Sequence, residues 1–214
     1  MIDLHVHTLM SDGALLPTEL VRRLEVMGYR AVALTDHVDA GNLEGVIAAG
    51  RRVAESLNGV QGVKVIPGVE LTHCPPAIIG ELTSRARALG AGLVVVHGES
   101  PVEPVAPGTN RAAIEAGVDV LAHPGMITPD EAALAATRGV ALELTTRGGH
   151  NLTNGHVARV ALAAGAPLVV NSDAHSPGDL MTPERARLTA LGAGLSEDQY
   201  QESRRLSSRL AGLP

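Results

Sequence analysis

The stretch DLHVHTLMSDG, residues 3–13, sets His5 and His7 two positions apart and Asp12 five residues later. Side chains at i and i+2 of a strand point the same way, so an HVH strand can close both imidazoles on one cation. Near the other end, NSDAH at residues 171–175 gives Asp173 and His175 the same spacing. Between them lie His37 in LTDH, Glu70 in IPGVE, His97 in VVHG and His123 in LAHPG. Imidazoles mixed with carboxylates suit Zn, Mn or Fe.

Short apolar runs alternating with helical patterns must position these residues. Strands are expected at 2–6, 31–35, 63–71, 92–98, 118–123, 140–146 and 167–173. PTELVRRLEVMG reads as a helix, with Pro17 in its first turn, Leu20, Leu24 and Met27 on one face, and Gly28 as its stop. Ser196 and Gln199 have the spacing of a capping box at the start of the last helix. Strand–helix alternation this regular implies a parallel sheet covered by helices. Periodicity alone does not choose between a closed barrel and an open, doubly wound sheet.

The polar residues do favour one. Six of the nine histidines fall at the same end of successive strands, with Asp12, Glu70 and Asp173 among them. A parallel barrel gathers the carboxyl ends of its strands around one mouth, whereas an open sheet spreads them along a line. Burying that many polar groups without partners is very costly, and bound cations supply the partners. The expected fold is therefore an α/β, TIM-like barrel with its metal site at the carboxyl ends of the strands.

Composition narrows the functions. Of 214 residues, 45% are hydrophobic and none is Phe or Trp; Tyr29 and Tyr200 are the aromatic exceptions, so the core is Val, Leu, Ile and Ala. The net charge of -6 comes with no basic stripe for a duplex, and so few aromatics build no stacking platform for single strands. Long nucleic acid is not an expected partner. The single cysteine, Cys74, excludes an internal disulfide. Asp3, His5 and His7 interrupt any leader-like apolar stretch, and no apolar run approaches a membrane span. A cytoplasmic location without a membrane partner is expected, with one domain over residues 1–214, the barrel at about 1–178 and terminal helices at about 182–212.

In order and spacing, these motifs resemble those of the polymerase and histidinol phosphatase (PHP) superfamily, over residues 3 to about 178. The chain is most similar to its short, stand-alone, histidinol-phosphatase-like members. The resemblance implies a distorted (β/α)7 barrel, a trinuclear metal centre and phosphoester hydrolysis. It implies that His5, His7, Glu70 and Asp173 hold a first divalent ion, that Glu70 bridges to a second completed by His97 and His123, and that Asp12, His37 and His175 hold a third. The ions would be Zn, Mn or Fe. Three divalent ions against three carboxylates leave about three positive charges, a receptor for a phosphate dianion. A metal-bound hydroxide would be the nucleophile, with His5, His7, Glu70 and Asp173 as the catalytic set.

Arg147, His150 and Arg111 are candidates for contact with the phosphate. Glu143 is expected to orient a ligand histidine or to accept from buried backbone. Asp36 is expected beside a ligand or in a strand-end turn, Glu99 and Glu103 as solvated loop residues, His156 as structural and Cys74 as a small buried residue. The substrate expected is a small phosphorylated metabolite, histidinol-phosphate-like or a nucleotide, and a monoester rather than a diester. Two alternatives stay open, an amidohydrolase-like hydrolase and a non-catalytic, metal-stabilised interaction domain. Amidohydrolases often bridge two metals with a carbamylated lysine, but the one lysine, Lys64, starts its strand at the wrong end.

Overall fold

A computed structural model describes residues 1–214. Seven parallel staves follow the chain in order around the sheet. They are β1 (Ile2–Val6), β2 (Ala31–Leu34) continued by β3 (His37–Val38), β4 (Lys64–Leu71), β5 (Leu93–His97), β6 (Val120–Ala122), β7 (Ala141–Thr145) and β8 (Leu168–Asn171). β2 and β3 pair with successive halves of β4, so they form one stave interrupted at Thr35 and Asp36. The connecting helices are α1 (Pro17–Val26), α2 (Leu43–Leu57), α3 (Pro76–Ala88), α4 (Thr109–Ala116), α5 (Pro129–Arg138) and α6 (Asn154–Ala164); α7 (Pro183–Gly192) and α8 (Glu197–Leu210) follow β8. The expected capping box is present: Ser196 accepts from the Gln199 N–H, and Gln199 accepts from the Ser196 N–H.

Every residue of β1, β5 and β7 is buried, as a sheet covered on one face and filled on the other requires. Residues on each strand alternate between two apolar layers. Leu93 and Val95 join Leu4, Ala33, Ile66, Val120, Ala141 and Val169 inside the barrel, while Val94 and Val96 face Ile79, Leu82 and Ile114 of the helices. Leu206 and Leu210 of α8, with Leu213, pack against the inner layer and close the floor.

Two departures from regular geometry position the site. On β1, Asp3 pairs with Val32 and Val6 with Leu34, so three steps on one strand oppose two on the other. The extra residue is a bulge, which re-aims side chains. Ile2 and Leu4 lie in the inner layer below it, whereas above it Val6 faces outward to Leu20 and Leu24 and His5 and His7 turn inward. Strand parity therefore fails for Asp3, which does not share the direction of His5.

The second departure is the β8/β1 seam, where a single backbone bridge, Val6 to Ala174, replaces a ladder. Side chains complete it. Asp3 Oδ1 accepts from the Ser172 and His5 N–H groups at 3.1 and 3.3 Å, and Asn171 Oδ1 accepts from the Leu4 N–H at 3.0 Å. The barrel is thus nearly closed.

Candidate metal centre

Each donor arrives on a strand end or the turn after it. The turn behind His7 is held by Asp36, which accepts from the Thr8 N–H, the Thr8 hydroxyl and the Ser11 hydroxyl at 2.7–2.9 Å. Gly13 closes it, since a Cβ there would lie 2.4 Å from the His7 carbonyl oxygen. Asp12 is thereby carried back over the mouth, its Oδ1 3.3 Å from His175 Nε2, 3.5 Å from His37 Nε2 and 3.9 Å from His7 Nδ1. Below it, His5 Nε2 lies 3.2 Å from Glu70 Oε1 and 3.7 Å from Asp173 Oδ1. His7 Nε2 lies 3.2 Å from Asp173 Oδ1 and 3.8 Å from Glu70 Oε2. One nitrogen each of His97, His123 and His150 lie within 4.8 Å of one another.

Donors sharing an ion at about 2.0–2.2 Å stand roughly 3–4 Å apart, so the spacings match common ligation. The unpaired atoms are a second test of fit. His5 Nε2, both nitrogens of His7, Glu70 Oε1 and His123 Nδ1 are buried without a hydrogen-bond partner. Orphaned buried polar atoms are costly, and cations between them would satisfy His5 Nε2, Glu70 Oε1, His123 Nδ1 and one nitrogen of His7, whose other nitrogen carries the hydrogen. His123 and Asp173 also hold positive φ values of 27° and 53°. Left-handed backbone at non-glycine residues is strained and concentrates at functional sites.

Electrostatics divides the imidazoles. Burial by itself lowers the pKa of His5, but Glu143, Glu70 and Asp173 outweigh it and hold that pKa well above the ordinary value. Burial keeps His7 and His123 well below it, with neighbouring imidazoles adding to the effect. Burial raises the Asp173 carboxyl, and Glu70 and Glu143 raise it further. A neutral imidazole is the ligating form, so the buried pair His7 and His123 is already disposed to bind cations.

Glu143 does both things expected of it. Its Oε1 accepts from His5 Nδ1 at 2.9 Å and from Asn171 Nδ2 at 2.8 Å, and its Oε2 accepts from the His123 N–H at 3.2 Å. With Nδ1–H so engaged, Nε2, the atom facing Glu70, is the one left to ligate once a cation displaces its proton. Such an outer carboxylate fixes tautomer and ring orientation.

The structure brings His5, His7, Asp12, His37, Glu70, His97, His123, Asp173 and His175 to one mouth. Arg147 reaches it too: its Nη1 donates to the Asp173 carbonyl at 3.2 Å and its Nε lies 3.6 Å from Asp173 Oδ2. His150 is there as well, but among imidazoles. Arg111 is not brought in, because its Nε pairs with Glu115 Oε1 at 3.0 Å on the exposed face of α4. Glu99 and Glu103 depart from their expected loop solvation. Glu99 Oε1 accepts from the Gly108 and Asn110 N–H groups and caps α4, and Glu103 contacts His73, His97 and His150. The sequence signal for Glu103, six residues past His97, was too weak to separate from an ordinary polar loop. His156 Nε2 donates to the Ile127 carbonyl and its Nδ1 accepts from Arg159, Cys74 is buried, and Lys64 donates to Gly212 away from the mouth.

Several known proteins are similar to this chain. The chain is 44% identical over 203 residues to the uncharacterized protein MJ1295 of Methanocaldococcus jannaschii, covering 94% of this chain and 93% of that protein. It is 41% identical over 108 residues to a 3',5'-nucleoside bisphosphate phosphatase of Chromobacterium violaceum, covering 43% of this chain and 38% of the relative. It is 30% identical over 213 residues to ribonuclease P protein component 3 of Methanosarcina mazei, covering 92% and 82%. The crystal structure of histidinol phosphate phosphatase from Lactococcus lactis, in complex with zinc, L-histidinol and phosphate, superposes with a TM-score of 0.57 at 15% identity, covering 100% of this chain and 94% of the other, which is a likeness of fold. The PHP domain model matches residues 3–147, more than half of the chain, and with the barrel and the histidine-rich mouth it rests on, this chain belongs to the PHP domain family.

Proposed function

We propose that this chain is a metal-dependent phosphoesterase that hydrolyses a small phosphorylated metabolite at a trinuclear centre. The observation that carries the reading is the convergence of nine imidazole and carboxylate side chains on one mouth, with five of their buried atoms unpaired. His5, His7, Glu70 and Asp173 would hold one ion, Glu70, His97 and His123 a second, and Asp12, His37 and His175 a third. When bound, divalent cations polarise phosphoryl oxygens and make water nucleophilic near neutral pH.

The chain's own residues do the rest. His7 stands between two donor groups, with Nε2 toward Asp173 and Nδ1 toward Asp12. Glu143 keeps the proton of His5 on Nδ1, away from the site. Arg147 is held by Asp173 on one side of its guanidinium, which leaves other N–H groups to bind phosphate oxygens in a fork. A small, compact ester suits a mouth with Arg147 as the guanidinium at the cluster. A relative that is a nucleoside bisphosphate phosphatase and a structural neighbour crystallised with L-histidinol and phosphate support the substrate class, with a monoester favoured. We extend the reading to a single domain over residues 1–214.

The test is phosphate release from an aryl phosphate and a metabolite panel by protein reconstituted with Mn or Zn. Release is expected with metal, lost with a chelator, and abolished in His7→Ala. Hydrolysis of amides or lactones in place of phosphates would overturn the proposal.

A further inference from the structure

We propose that Glu103 and His150 are further metal ligands of the second ion, the one that Glu70, His97 and His123 would hold. The proposal rests on the metal-dependent reading above and replaces the phosphate contact expected of His150.

Two segments bring the donors together. The loop from 98 to 108 is tied at both ends, by the Glu99 N–H donating to Asn110 Oδ1 at 3.0 Å and by the Glu99 carboxylate capping α4. The turn after β7 passes Gly149 at a φ of +89°, and a Cβ there would touch Val102 at 3.5 Å. Loop and turn thus abut, and Glu103 Oε1 comes to 3.3 Å from His150 Nε2. Its other oxygen, Oε2, lies 3.1 Å from His97 Nε2 and 2.9 Å from His73 Nε2. The rings of His123 and His150 are 4.3 Å apart.

The arrangement around His97 fits a cation. Its Nδ1 lies 3.1 Å from the Gly98 carbonyl oxygen, an acceptor, so Nε2 is the nitrogen that faces the Glu103 carboxylate, at 3.1 Å. A cation about 2.1 Å from each gives that separation at an angle near 95°. His123 Nδ1, buried and unpaired, is the further atom such an ion would satisfy. His150 Nδ1 bonds the Ser100 hydroxyl at 2.8 Å, which leaves Nε2 to ligate, and His73 steadies the Glu103 carboxylate. Three imidazoles and the Glu103 carboxylate, beside Glu70, make a donor set rich in nitrogen. The imidazole majority favours Zn over Mn.

Elemental analysis after dialysis against a fixed chelator buffer, with chelator-competition titration of Zn, tests this on the full chain. Glu103→Gln and His150→Ala are each expected to hold one Zn fewer than wild type, or to bind one Zn at least tenfold more weakly. Pro107→Ala, exposed on the same loop, is expected to match wild type. Glu103 lies at the surface, so Glu103→Gln is expected to melt with metal-free wild type, and it decides the matter if His150→Ala does not fold. Variants that keep the full Zn complement at wild-type affinity would overturn the assignment and leave the phosphoesterase reading standing. Loss of one Zn in the variants, from a wild type that releases no phosphate, would sustain the assignment and remove the phosphoesterase reading.

Discussion

Substituting Glu143 by Gln keeps the shape of that side chain and removes its charge. The carboxylate serves three donors, His5 Nδ1 and Asn171 Nδ2 on one oxygen and the His123 N–H on the other. An amide cannot serve all three. With its oxygen toward His5, its NH2 meets the His123 N–H, donor against donor at a site where the atoms now stand 3.2 Å apart. With the amide reversed, His5 Nδ1 must accept, the proton is held on Nε2, and the atom left to ligate is lost. Both outcomes weaken ligation through His5 or the backbone that holds His123. Losing such an outer partner typically costs 10–100-fold in metal affinity, or about 1.4–2.7 kcal/mol. Ala is less informative, since it orphans three buried donors at about 1–3 kcal/mol each, a large part of the ~5–15 kcal/mol by which a domain is stable. Chelator-competition titration of wild type and Glu143→Gln with Zn or Mn measures the difference. A folded variant that binds its metal as tightly as wild type would refute the reasoning that Glu143 sets the His5 tautomer.

Chelation of the metal-loaded protein leaves five buried atoms unpaired and should lower its melting temperature. A cation at a hundred times its Kd adds about 2.7 kcal/mol per site, or roughly 5–11 °C for a chain of this size; identical calorimetric traces with and without chelator would show that the cluster holds no cation. Asp3 carries a further prediction. Burial raises its carboxyl to about 6, against the hydrogen bonds from Ser172 and His5 that lower it. The folded state therefore binds the proton more tightly than the unfolded chain, whose carboxyl titrates near 4. Stability from this group is greatest below about 4 and declines as pH rises through about 6. The span is on the order of 3 kcal/mol. Urea unfolding of the metal-free Asp3→Asn variant at pH 4 and pH 7 should lack this decline, and stability differences between variant and wild type that do not change with pH would contradict it.

Much of the barrel was legible because a parallel sheet writes itself as apolar runs separated by helical periods. The seven strands appear where Val, Leu, Ile and Ala cluster, and they differ from the expected ranges by a residue or two at their ends. The exception is the second stave, which Asp36 breaks. Its carboxylate accepts from Thr8 and Ser11 and cannot be spared from the turn that carries Asp12. Local patterning shows a strand end there but not which distant turn it holds.

What the sequence determined by itself was the candidate donor set, since residue types at strand ends follow from chain order and from the rule that a parallel barrel collects those ends at one mouth. Tertiary structure decided which face each donor presents and what stands beside it. Strand parity groups Asp3 with His5, but a bulge set by pairing with β2 turns His5 inward and leaves Asp3 to close the seam with Ser172. Parity is a local rule, and the extra residue is visible only against the partner strand. In the same way, Glu103 and His150 are 47 residues apart in sequence, and only the packing of the loop at Val102 on the turn at Gly149 brings them within 3.3 Å. Contacts across the mouth depend on where two loops meet in space, which no periodicity encodes.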